Sequence, residues 1–157
     1  EALADFDAVL KEAPDDVRFR DCDVELWSRT RGDRRLAAAA RAKADSLAFL
    51  EEGTLFGVRR ELWIAEILAS AGLGDSADAV ARRAAANAPT GWRPLVLSEL
   101  IYLRVLRRDL DSALALTALA VRADPTLRGY VERVPWLAPL RADPRFARAV
   151  AGESARR

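Results

Sequence analysis

Apolar side chains recur along this chain with the three- and four-residue spacing of α-helices, and no segment shows the strict alternation of a β-strand. In the N-terminal third, Leu3, Phe6 and Leu10 share one helix face, and proline or glycine interrupts the pattern after each helix. The predicted helices there span residues 2–13, 17–31 and 34–52. We therefore expect an all-α chain that forms a single domain over 1–157.

The middle of the chain predicts four further helices, of which the third is the most apolar. Leucine and isoleucine cover more than one of its faces, which is typical of a helix packed between two neighbours. Pro94 fits this helix only in the first turn, where its missing N–H costs nothing. Gly72 and Gly74 separate the first two helices. The predicted bounds are 55–71, a segment from Asp75 or Ser76 (its expected N-cap) to Pro89, 92–108 and 111–124.

The C-terminal part predicts shorter elements. A short helix over 126–134 is followed by a turn over 135–140 that contains two prolines and Trp136, which we expect to pack at this turn. Asp143-Pro144 is a strong start signal for a final helix that runs to about residue 151. The apolar face of that helix consists of Phe146 and Val150.

One pattern occurs twice, 36 residues apart. Residues 72–89 read GLGDSADAVARRAAANAP, and residues 108–125 read RDLDSALALTALAVRADP. Small residues at one spacing, closed by a proline, indicate one structural unit, and units repeated at about 20–50 residues build stacked helical arrays. The matched positions are Ala77 and Ala113, Ala79 and Ala115, Ala84 and Ala120, and Pro89 and Pro125.

The second copy resembles the second half of a tetratricopeptide repeat, whose pattern is a Gly-Asp-aromatic turn, two spaced alanines and a terminal Asp-Pro. Here those positions hold Arg108-Asp109-Leu110, Ala113, Ala120 and Asp124-Pro125. The resemblance implies a right-handed α-α superhelix of antiparallel helix pairs. Its units would be a partial repeat at 1–14, repeats at 15–53, 55–91 and 92–125, and a capping segment at 126–157.

The chain also departs from that family. The spacing is 36 residues rather than about 34, and Ile101 and Arg104 stand where a small and an aromatic residue are expected. Another helical-hairpin solenoid is therefore an alternative. Residues 140–146, Leu-Arg-Ala-Asp-Pro-Arg-Phe, resemble the ending of tetratricopeptide regions in bacterial proteins. We expect them to shield the last apolar face of the stack.

Composition restricts the function. The 25 basic and 24 acidic side chains nearly cancel, so the surplus of positive charge that nucleic-acid binding requires is missing. The chain has no histidine, and its single cysteine, Cys22, lies between two aspartates, which disfavour a reactive thiolate. The sequence has no phosphate loop, metal-ligand cluster or nucleophile–base pair, so we predict no catalytic residue, cofactor or metal. No apolar run is long enough to span a bilayer, and nothing indicates a compartment.

The resemblance places the first helix of each pair along a concave surface. Trp63 and Tyr102 are the candidate aromatic anchors there for a peptide or partner helix, and Arg59 is a candidate partner for a carboxylate. For Trp63 the alternative is simple packing between helices. The predicted partner-binding residues are Arg29, Arg59, Leu62, Trp63, Glu66, Ser70, Ser98, Glu99 and Tyr102, with Cys22, Leu26, Leu95 and Val105 beside them.

We therefore expect a non-enzymatic interaction module that presents this groove to a peptide or partner protein, within a larger bacterial signalling, regulatory or envelope-assembly protein. The chain begins at Glu1 rather than Met, and we expect it to be a fragment or a processed form. One alternative is a superhelical glycan-cleaving enzyme that uses Glu66 or Glu99 as its acid. Another is self-association through the N-terminal end, where Leu3 and Phe6 would otherwise lack a cover.

Overall fold

The computed structural model describes residues 54–153, which are helical and contain no strand. The all-α prediction is confirmed for this part of the chain. The helices predicted over 2–52, the site residues Cys22, Leu26 and Arg29, and the N-terminal self-association surface lie outside the described residues. The described α-helices are α1 (Leu55–Ser70), α2 (Gly74–Asn87), α3 (Arg93–Leu106), α4 (Leu110–Ala123), α5 (Leu127–Arg133), α6 (Ala138–Arg141) and α7 (Phe146–Val150), and 3-10 turns span Thr90–Trp92 and Pro135–Leu137.

Local sequence signals set the starts of three long helices. Thr54 caps α1, because its hydroxyl oxygen accepts a hydrogen bond from the Gly57 N–H at 3.1 Å. Asp109 caps α4 by accepting from the Ser112 N–H at 3.1 Å, and hydrogen bonding with Ser112 lowers the pKa of the Asp109 carboxyl. Pro94 lies in the first turn of α3, as predicted.

The start of α2 differs from the prediction. The helix begins at Gly74 with Leu73 at its N-cap, and no side chain caps it, so neither Asp75 nor Ser76 has the expected role. The Leu73 N–H donates to the Leu68 carbonyl at 2.8 Å and thereby closes the end of α1. The N-cap position of α2 therefore falls on Leu73, whose apolar side chain has no oxygen to accept a hydrogen bond.

The final helix begins at Phe146 rather than at Pro144. The Asp143 carboxylate accepts hydrogen bonds from both the backbone N–H and the guanidinium of Arg145, at 2.8 and 2.9 Å. These bonds fold residues 143–145 into a turn before the helix starts. The predicted apolar face is confirmed, since Val150 is buried and Phe146 packs against the same core.

Three described helices end in the same left-handed turn. At the end of α1, Gly72 has φ 75° and its N–H donates to the Ala69 carbonyl, while the next N–H reaches back five residues. This pair of bonds is a Schellman motif. It recurs after α3, where Arg108 has φ 59°, and after α7, where Gly152 has φ 78°. The 36-residue repeat therefore extends to backbone conformation, since Gly72 and Arg108 are matched positions.

α1 and α2 form an antiparallel hairpin. Glu61, in the first half of α1, accepts a hydrogen bond at 2.7 Å from Arg83, in the second half of α2. Only antiparallel helices joined by the short connection at residues 71–73 bring these two positions together. α3 and α4 pack against each other across the equally short connection at residues 107–109 and form the next hairpin.

α3 packs beside α1 in the same direction. Leu62, in the first half of α1, shares a buried cluster with Val96, near the start of α3. Leu68 and Leu103, near the ends of the same two helices, share another. Asp78 of α2 also bonds to the end of α3, because its carboxylate accepts from Arg104 at 2.9 Å and from Arg107. Two such charge-assisted bonds fix the second hairpin against the first.

Alanines allow the helices of each hairpin to approach closely. Ala77 and Ala84 of α2, and Ala113 and Ala120 of α4, are each 0% exposed. The repeated alanines are therefore inside the molecule where the sequence repeat indicates close helix contacts. Ala79 and Ala115 share the repeat spacing, but both are exposed and have no such role.

The C-terminal elements cover α4 and the adjoining part of α3. α7 packs against α4, and α5 and the turn Pro135–Leu137 contact α3. Val131, Leu137 and Leu140 are completely buried in one cluster with residues of α3 and α4. A hydrogen bond also links the C-terminal elements to α4, since Arg145 donates to Asp111 near the start of α4 at 2.6 Å.

Candidate functional site

The candidate site consists of equivalent positions on α1 and α3. Trp63 and Glu66 of α1 correspond, 36 residues on, to Glu99 and Tyr102 of α3. Helical spacing places Arg59, Trp63, Glu66 and Ser70 on one side of α1, since residues three and four apart are neighbours on a helix surface. The α1–α3 face consists of Arg59, Trp63, Glu66, Ser70, Glu99 and Tyr102.

The structure places most of the predicted site residues inside the molecule. Arg59 is exposed and Ser70 is half-buried, as is Leu95. The deepest are Glu66 at 1%, Leu62 at 2%, Tyr102 at 4%, Ser98 at 6%, Trp63 and Glu99 at 7%, and Val105 at 8% exposure.

Three predicted site residues make contacts within the protein that explain why they are buried or half-buried. Leu62 packs with Val58, Ala84 and Val96 in the core where α1, α2 and α3 meet. The Ser70 hydroxyl donates to the Glu66 carbonyl at 2.7 Å. The Ser98 hydroxyl donates to the Leu95 carbonyl at the same distance. Both hydroxyls thus bond to the backbone of their own helices, a common arrangement for serine in helices.

Trp63 has two distinct environments. Its ring lies under the Arg59 guanidinium, whose carbon is 4.8 Å from the ring centroid, a cation–π contact. Its indole Nε1 is buried, and no acceptor among the described residues takes its hydrogen bond. A buried donor of this kind is uncommon in native proteins and calls for a specific explanation.

Glu99 is a buried carboxylate on the neighbouring helix. Its Oε2 atom is enclosed, and no hydrogen-bond donor among residues 54–153 reaches it. No ion pair joins Glu99 to an arginine in the same part of the chain. Burial of a carboxylate without a compensating donor or cation is energetically costly. The sequence placed Glu99 on this face but gave no sign of its missing partner.

Trp136 extends the aromatic part of the face, which the sequence did not indicate. Its ring meets the Tyr102 ring edge-on, with centroids 6.2 Å apart and planes at 61°. Trp136 lies in the turn Pro135–Leu137 and is 38% exposed. In the sequence, a tryptophan between two prolines predicted the turn. It did not predict that this tryptophan contacts Tyr102 of α3.

A separate cleft of about 240 Å³ lies between the end of α2 and the start of α3. None of the predicted site residues lines it. Its lining is mostly apolar and consists of Ala85, Ala88, Pro89, Thr90, Arg93, Val96, Leu97 and Leu100.

Comparison with known proteins finds no matching family model, no matching curated protein and no matching solved structure. Over residues 54–153, no group of three or more acidic, cysteine or histidine side chains is arranged to hold a metal ion. Within the same range, no helix combines the length and apolarity needed to cross a bilayer.

Proposed function

We propose that this chain is a tetratricopeptide-like, non-enzymatic interaction module that binds a peptide or partner protein along the α1–α3 face. In this proposal the hairpins continue as a right-handed superhelix, and the first helices of successive pairs line its concave side. The module would belong to a larger bacterial protein, as the resemblance of residues 140–146 suggests.

The observation that carries the proposal is the register of α1 and α3. The two helices pack side by side in the same direction, so their equivalent positions form a continuous strip from α1 to Tyr102 and Trp136. Glu61, which bonds to α2, lies on the opposite side of α1 from Trp63 and Glu66, so α2 does not cover this strip. Aromatic residues beside charged ones are typical of protein-binding surfaces.

Site-specific photocrosslinking in the source organism tests the proposal. A benzoylphenylalanine at Arg59, which is exposed on the α1–α3 face, should give a crosslink to a defined partner. The matched control carries the same residue at Ala86, which is exposed on α2. Crosslinking at Ala86 that equals or exceeds that at Arg59 would show that the face is not the binding surface.

A further inference from the structure

Two unsatisfied atoms on the α1–α3 face specify what a ligand must supply. Trp63 Nε1 needs an acceptor, and Glu99 Oε2 needs a donor; neither has one among the described residues. Both side chains are more than nine-tenths buried, so bulk water does not solvate them freely. They occupy matched repeat positions on helices that pack against each other, so one ligand segment spanning α1 and α3 can address both.

Charge favours a cationic donor for Glu99. Glu61 bonds to Arg83, and Asp78 bonds to Arg104 and Arg107, at places separate from Glu99. A carboxylate in a poorly solvated environment attracts a positive charge strongly. The neighbouring rings of Trp63 and Tyr102 favour a cation as well.

Arg59 already places a cation beside one of these rings. It is exposed, and its guanidinium lies over the Trp63 ring. An incoming cation can replace the guanidinium there, so the ring keeps a positive neighbour.

We infer that the α1–α3 face recognises an arginine or lysine side chain of a partner peptide, an inference that rests on the interaction function proposed above. The basic group donates to Glu99 Oε2, and a backbone carbonyl of the same peptide accepts from Trp63 Nε1. A peptide carrying a basic residue thus satisfies both atoms at once.

A phage library of random dodecapeptides is the probe. Peptides selected on the wild-type chain should share an arginine or lysine at one position, and selection on Glu99→Gln should lose that preference. This variant keeps the shape of the side chain and removes its charge, and thermal unfolding verifies that it folds. Glu132→Gln is the matched control, because Glu132 is exposed on α5 and is not part of the α1–α3 face, and the variant should keep the preference.

Fluorescence anisotropy with one selected peptide then measures the contact itself. Glu99→Gln should weaken binding about tenfold or more, and replacing the basic peptide residue by glutamine should weaken wild-type binding equally. Combining both changes should add little further loss, because they remove the same interaction. Trp63→Phe, which removes only the donor, should weaken binding with or without the basic residue.

The outcomes separate this inference from the function on which it rests. Equal affinities for the wild type and Glu99→Gln mean that water satisfies Glu99, and they overturn the inference. Selection of peptides without a basic preference, or of no peptide, also overturns it, while crosslinking at Arg59 still supports the module. Crosslinking that is as strong at Ala86 as at Arg59, or stronger, overturns the proposed function instead.

Discussion

At the scale of single residues, Arg108 has a backbone conformation that suits glycine. Its φ of 59° lies in the left-handed region, where an L side chain costs about 1–2 kcal/mol. The matched position in the first hairpin is Gly72, with φ 75°. The Arg108 side chain is exposed, and no described ion pair uses it, so little opposes the cost. Arg108 is a strained residue in an otherwise repeated turn.

Arg108→Gly should therefore stabilise the protein by about 0.5–1 kcal/mol, after the greater freedom of glycine in the unfolded chain offsets part of the gain. Urea unfolding measures the change. The matched control is Gly72→Ala, which introduces the same strain at the equivalent position and should lower stability by about 1 kcal/mol. A stability loss in Arg108→Gly would contradict this account.

Residue spacing predicted which positions share a face, but burial and missing partners could not be predicted from it. Trp63, Glu66, Glu99 and Tyr102 follow from helical periodicity. Their exposure depends on what packs around them, and Trp136, 34 positions beyond Tyr102, belongs to that environment. A contact between residues so far apart in the sequence cannot be predicted from the local spacing of apolar residues.

At the scale of elements, the hairpins depend on small side chains at their crossings. Ala113 of α4 is completely enclosed, whereas Ala115, two residues further, faces outward. Close-packed interiors accommodate extra methyl groups poorly. Ala113 is thus a steric requirement of the second hairpin, and Ala115 is an ordinary helix position.

Ala113→Leu should destabilise the protein by about 1–3 kcal/mol or more, because the larger side chain pushes α3 and α4 apart. Ala115→Leu changes the same atoms on the outer surface and should stay within about 0.5 kcal/mol of the wild type. Chemical denaturation of the two variants side by side makes the comparison. Equal effects would mean that the crossing tolerates a large residue.

The elements themselves were largely predictable from sequence. The bounds of α1, α3, α4 and α5 agree with prediction to within two residues, because periodicity and capping residues mark them. The predicted starts of α2 and α7 were wrong. The tight turn before α2 places Leu73, which has no side-chain acceptor, at the N-cap, and the Asp143 carboxylate is used in a turn with Arg145. Hydrogen bonds within turns decide such details, and the repeat pattern does not encode them.

At the scale of the whole molecule, one arginine links the C-terminal elements to the second hairpin. Arg145 bonds to Asp143 at 2.8 Å and to Asp111 of α4 at 2.6 Å. Hydrogen bonds from Arg145 lower the pKa of Asp143 to about 2. A carboxyl whose folded pKa is depressed stabilises the fold above its unfolded pKa, and this contribution disappears as the pH falls through the folded value. The relevant window runs from about pH 4 to about pH 2.

Acid should therefore weaken the attachment of the C-terminal elements. Asp143→Asn removes the charge at every pH, so its melting temperature should lie below that of the wild type at pH 6, and the gap should close by about pH 2. The melting temperature of Arg145→Gln should also lie below that of the wild type at pH 6, and this gap should likewise close by about pH 2. Arg128→Gln, at an exposed position on α5, is the control. A gap that stays constant from pH 6 to pH 2 would contradict the account.

α3 supplies side chains to each of the three buried clusters found in residues 54–153, through Val96, Leu103 and Ile101 among others. A residue inserted into or deleted from this helix would rotate its remaining positions by about 100° and misalign every cluster at once. Evolution can therefore alter chain length here only at the connections, such as 71–73, 107–109 and 124–126. Related chains should differ in length at these joints, and their third helix should stay the same number of residues long.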